Sequence, residues 1–115
     1  MSEQNDQYII DFEFHGNPRP GNRIFVRGDS KGVHIKDTTD TLSWDGNVFI
    51  ELDQNDSVWT GSVEFEGPVD LEFKFIDSHC GGVGCGKRRF VPRGGDTTNL
   101  KLYVDRIREF RFTDR

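Results

Sequence analysis

From Val58 to Phe65, and again from Val69 to Ile76, apolar and polar residues alternate, with Glu66-Gly67-Pro68 breaking the pattern between them. A period of two puts successive side chains on opposite faces of a strand. Each run therefore has one apolar face: Trp59, Gly61, Val63 and Phe65 in the first, Val69, Leu71, Phe73 and Phe75 in the second. Two such runs flanking a Gly-Pro break predict a β-hairpin. The composition agrees. The chain contains no Ala but has ten Phe and 13 Gly, which is poor helix material and good strand material.

The rest of the chain repeats the pattern in shorter form. Tyr8–Phe14 alternates with Ile10, Phe12 and Phe14 inward. Gly16-Asn17-Pro18-Arg19-Pro20-Gly21 reads as a loop. Arg23–Arg27 is a strand that points Ile24 and Val26 inward. The segment from Gly28 to Asp45 is long and polar, with room for a short edge strand at Val33–Ile35. Val48–Leu52 alternates again, and Asp53-Gln54-Asn55-Asp56 reads as a turn. Beyond the glycine-rich stretch from His79 to Gly86, the last strands fall at Arg89–Val91, Leu100–Val104 and Ile107–Phe112. With 115 residues this predicts a single domain over residues 8–115 behind a polar tail, residues 1–7. The fold class is all-β, an antiparallel immunoglobulin-like sandwich of seven to eight strands.

The net charge of −5 is unevenly spread. Residues 1–86 hold 6 basic and 16 acidic side chains, whereas residues 87–115 hold 9 basic and 4 acidic. Either the late strands pair with earlier ones and the charges meet across the sheet, or Arg88, Arg89, Arg93, Arg106, Arg108 and Arg111 form an anion-binding edge. The overall acidity argues against a nucleic-acid partner. No apolar run is long enough to span a membrane. The first residues lack the pattern of a signal peptide, which favours a cytoplasmic location.

In order, Arg23-Ile24-Phe25-Val26-Arg27-Gly28, Leu42-Ser43-Trp44-Asp45, Val58-Trp59-Thr60-Gly61-Ser62-Val63 and Leu71-Glu72-Phe73-Lys74-Phe75-Ile76 resemble the starch-binding domains of carbohydrate-binding module family 20. They are also similar to the glycogen-binding domains of AMP-activated kinase beta subunits. Lys87-Arg88-Arg89-Phe90-Val91-Pro92 and Asp96-Thr97-Thr98-Asn99-Leu100-Lys101-Leu102 fall where later family elements would lie. The resemblance implies noncatalytic binding of an α-glucan, starch- or glycogen-like, by aromatic stacking. It puts Trp44 at the first stacking position and Lys74 beside the sugar, while Trp59 takes a packing position. Arg88 falls at a later family element, and His79, in a loop that departs from the family, is a further carbohydrate-binding candidate. The chain departs from the family after Ile76. The loop Asp77-Ser78-His79-Cys80-Gly81-Gly82-Val83-Gly84-Cys85-Gly86 has no Trp, Tyr or Phe where a second stacking ring is expected, and Lys87 stands where a sugar-binding Asn would be. A flat ring covers the apolar face of a sugar at small entropic cost while polar groups take its hydroxyls. One such ring implies weak binding, or a scaffold put to another use. Trp44 itself can equally be a core residue of such a sandwich.

Cys80 and Cys85 enclose Gly81-Gly82-Val83-Gly84, which is flexible enough for disulfide geometry. A disulfide and a pair of reduced thiols both fit this spacing. A zinc site with His79 would need a fourth ligand, and only His15 and His34 remain as imidazoles. The glycines lack the following Ser/Thr and helix of a phosphate cradle. Asp37–Asp40 and Asp53–Asp56 lack the spacing of a calcium loop. No serine sits in a nucleophile elbow, and the paired carboxylates lie on solvated strand faces. The expectation is a protein that is not an enzyme and uses no cofactor or metal. Its partner is an α-glucan or, alternatively, another protein that docks on the basic late strands or an exposed sheet edge.

Overall fold

In the computed structural model the described residues are 7–44, 46, 48–79, 87–89 and 100–113, with 87–89 and 113 as backbone. They form nine strands and no helix: β1 Tyr8–His15, β2 Arg23–Asp29, β3 Ile50–Glu51, β4 Asp53–Asn55, β5 Val58–Phe65, β6 Val69–Ser78, β7 Lys87–Arg89, β8 Leu100–Val104 and β9 Arg108–Thr113. One sheet runs β4-β5-β1-β9. The other runs β3-β2-β6, with β7 and β8 both pairing with the far side of β6. Every pairing is antiparallel except that of β1 with β9. The chain is an all-β sandwich.

The expected hairpin at Glu66-Gly67-Pro68 does not form. β5 pairs with β1 and β4, while β6 pairs with β2, β7 and β8, so the Gly-Pro break carries the chain from one sheet to the other. Alternation reveals a strand with one apolar face, but not whether two such strands join edge to edge or meet face to face. Here they meet face to face. Trp59, Val63 and Phe65 of β5 and Val69, Leu71, Phe73 and Phe75 of β6 are all buried in one core cluster.

Other boundaries shift for local reasons. The expected strand Val48–Leu52 and turn Asp53–Asp56 become two short strands on different sheets, β3 and β4, with buried Leu52 at the crossing. The turn into β5 is confined to Asp56 and Ser57, and Asp56 has a φ of 58°. In place of a strand at Val33–Ile35 there are isolated bridges, His34 to Thr41 and Ile35 to Phe65. Leu100–Val104 is strand as expected.

Aromatic packing joins the sheets. Phe75 of β6 contacts Phe12 and Phe14 of β1 and Phe110 and Phe112 of β9, with centroids 5.1–6.1 Å apart. Phe73 adds edge-on contacts to Phe12 at 5.4 Å and Phe110 at 5.0 Å. Such pairs each contribute roughly 0.5–1.5 kcal/mol beyond burial. The late basic strands meet earlier acids, as one of the two charge readings expects: Arg111 of β9 lies opposite Glu13 of β1, with Nε 3.6 Å from Oε1.

Candidate functional site

The candidate site lies on the outer face of the β2-β6 sheet and depends on β2 being buried on both sides. Ile24 and Val26 face the core as expected, but Phe25 and Arg27 on the opposite face are also buried. Trp44, Gly46 and Phe49 contact them from that side. The Phe49 ring meets Phe25 edge-on at 5.2 Å, and the Arg27 guanidinium lies 5.9 Å from the Phe49 centroid.

Arg27 is only 2% exposed. A buried guanidinium needs acceptors, and this one donates through Nη2 to the carbonyls of Gly46 and Trp44, the latter at 3.4 Å. The approach to this turn is fixed as well. Ser30-Lys31-Gly32-Val33 is a tight turn closed by Val33 N–H donating to the Ser30 carbonyl at 3.0 Å. Lys31 and Gly32 both have positive φ, 55° and 85°. Buried Ser30 then ties down Leu42. The Leu42 N–H donates to Ser30 Oγ at 3.0 Å, and the Ser30 N–H donates to the Leu42 carbonyl at 2.9 Å. The long polar excursion from Gly28 is thereby pinned at its base, two residues before Trp44.

Trp44 is half-buried and lies outside the core cluster. Lys74 projects from the outer face of β6, directly opposite Arg27. Its Nζ lies over the Trp44 ring, 5.0 Å from the centroid, within cation–π range. The structure therefore brings together two of the residues singled out from the sequence, an indole and an ammonium, beside a backbone turn anchored by a buried arginine.

The other expected residues lie elsewhere. His79 is exposed just past the end of β6, about 16 Å along the strand direction from Lys74, and its carbonyl accepts from Arg23 Nη2 at 2.9 Å. Arg88 pairs through its backbone with Asp77 at that same end of the sheet. Cys80 and Cys85, with the disulfide and thiol readings, lie outside the described residues, as do Asp45, Asn47 and Arg93. Trp59 is buried in the core. Among the described residues, no group of three His, Cys, Asp or Glu side chains gathers as a metal site would require.

Arg27, Ser30 and Phe49 were not visible as site residues in the sequence. The only signal was a cation inside the otherwise apolar run Ile24-Phe25-Val26-Arg27-Gly28. The glycine after it has a plain purpose: a Cβ at Gly28 would stand 2.2 Å from the Glu72 carbonyl oxygen. β2 and β6 could not approach so closely with any other residue there.

An all-β sandwich with an aromatic and a cation on one outer sheet face is the class of protein these features define. No protein-family model matches the chain, and no curated protein matches it. Among solved structures the fold is similar to that of a glycoside hydrolase family 15 glucoamylase from Hypocrea jecorina, with a TM-score of 0.62 and 15% identity. That match covers 98% of this chain and 18% of the glucoamylase. It is also similar to a gamma-CGTase from alkalophilic Bacillus clarkii, with a TM-score of 0.55 and 16% identity, over 95% of this chain and 15% of that one. The chain thus spans less than a fifth of either enzyme, and likeness at this identity concerns the fold.

Proposed function

We propose that this domain is a noncatalytic module that binds an α-glucan through Trp44. The observation that carries the reading is the placement of Lys74 Nζ 5.0 Å over the Trp44 ring, outside the core. A buried structural tryptophan has no need of such a partner, whereas a presented ring gains a fixed orientation from it. The sugar packs on the exposed part of the ring beside the ammonium, and Lys74 donates to its hydroxyls. With no second aromatic in the loop after Ile76, binding is weak. The fold shared with parts of a glucoamylase and a CGTase supports this ligand class.

The test is migration through a native gel cast with glycogen. Wild type is retarded relative to a glycogen-free gel, Trp44→Ala runs unretarded, and Lys74→Ala falls between. Equal mobility of wild type in both gels would contradict the proposal.

A second reading has its own observation. Among the described residues β9 pairs only with β1, which leaves its other side a sheet edge among them, and Ile107 just before it is 53% exposed. An edge strand beside an exposed aliphatic suits protein association by strand addition. Light scattering decides it: a strict monomer that captures no partner argues against an assembly role.

A further inference from the structure

We infer that the sugar site does not end at Trp44 but continues along the outer face of β6 to Tyr103, so that the domain binds a glucan chain rather than a single terminal unit. This rests on the α-glucan reading above and deepens it.

The outer face of this sheet is covered at one end and open at the other. Phe25, Ile76 and Ser78 lie buried beneath the covered end. Past the Trp44 turn, the outward residues of β6 are Lys74, Glu72 and Asp70, and burial falls off from half-buried to exposed. These three share a face because their neighbours Leu71, Phe73 and Phe75 all point into the core. On one side the tight turn brings Lys31 over, with its Nζ 2.8 Å from Glu72 Oε1. On the other side β8 sets Lys101 opposite Glu72 and Tyr103 opposite Asp70. Lys31, Asp70, Glu72, Lys101 and Tyr103 line a cleft of about 360 Å³.

Tyr103 is 53% exposed, one of two large apolar side chains so exposed among the described residues. Asp70 and Lys74 are four residues apart on β6, about 13 Å. A half-buried indole and an exposed phenol thus mark the two ends of one strand face. The side chains between them match a chain of hydroxyls better than a charged ligand. The cleft holds two lysines and two carboxylates, so their fields largely cancel, yet together they offer both donors and acceptors. Tyr103 supplies the second ring that the loop after Ile76 does not, displaced along the strand.

The test compares binding of maltotriose and maltoheptaose by calorimetry for wild type, Trp44→Ala, Tyr103→Ala and Tyr103→Trp. Wild type binds the longer chain more tightly. Tyr103→Ala loses roughly three- to tenfold of maltoheptaose affinity, the scale of one aromatic contact, while maltotriose binding is unchanged, and Tyr103→Trp keeps the preference for length. Trp44→Ala weakens both ligands. If Tyr103→Ala keeps the full wild-type preference for the longer chain, the extended site is overturned and the Trp44 site stands. If wild type binds neither oligosaccharide, the glucan reading itself fails and the extension falls with it.

Discussion

Arg27 and Lys74 stand directly opposite each other on β2 and β6, two cations on one sheet face. Like charges so placed ordinarily destabilise a sheet. Here they are separated by task. Arg27 is buried and donates to the carbonyls of Trp44 and Gly46, and Lys74 rises to the Trp44 ring. One cation holds the backbone of the turn and the other holds its side chain.

Arg27→Met keeps the apolar stem but removes the donors, leaving two carbonyls without their charged partner. We expect a loss of about 1.5–3 kcal/mol in urea unfolding, the scale of hydrogen bonds to a charged group. Trp44 emission should shift to the red as the turn loosens. Unchanged emission would mean that Trp44 is positioned by other contacts.

The Ser30 hydroxyl acts on Trp44 from farther away. Ser30→Ala removes the acceptor for the buried Leu42 N–H, for an expected cost of about 1–3 kcal/mol. Ser30→Thr keeps the oxygen and should recover part of the loss. Equal stability of the Ala variant and wild type in thermal melts would remove Ser30 as the clamp of this excursion.

Gly28 tests the close approach of the two strands. A methyl group there collides with the Glu72 carbonyl and with Phe73, whose Cβ would be 2.9 Å away. Gly28→Ala should cost about 3 kcal/mol, the upper end for an overpacked site. Hydrogen exchange should show the β2-β6 ladder opening first.

The elements came through alternation, and alternation is blind to what lies above a strand. Ile10, Phe12 and Phe14 were legible because the core side of β1 is buried and its other side carries charges. Phe25 and Arg27 were not, because the cover over β2 comes from Phe49 and Trp44, about twenty residues on, and nothing local announces it. The failed hairpin has the same origin, since the apolar faces of β5 and β6 look identical whether they share a sheet or oppose each other. Resemblance to a carbohydrate-binding family singled out Trp44 and Lys74, and the structure sets them side by side. Tyr103 was not, because its position depends on the register of β8 against β6.

On the other sheet, His15 donates to Glu13 Oε2 while Arg111 approaches Oε1. The His15 hydrogen bond, and then the Arg111 charge, hold the Glu13 carboxyl below its ordinary value of 4.5, although partial burial opposes them. A carboxylate lowered on folding stabilises the fold above that ordinary value, and the contribution is lost as pH falls through the lowered one. Carbon-detected NMR titration should place the Glu13 midpoint below 4.5 in wild type and return it toward 4.5 in His15→Ala. An unmoved midpoint would assign the effect to Arg111 alone.

The two tryptophans give the most direct reading of the central claim. Trp59 is buried in the core, while Trp44 stands half-exposed beneath Lys74. Their indole N–H signals in a nitrogen-15 correlation spectrum are therefore separate reporters, followed as maltoheptaose is added to millimolar concentration. Binding at the proposed site shifts the Trp44 indole and the Lys74 amide progressively and leaves the Trp59 indole in place. A spectrum in which neither indole moves, or in which only Trp59 responds, would contradict it.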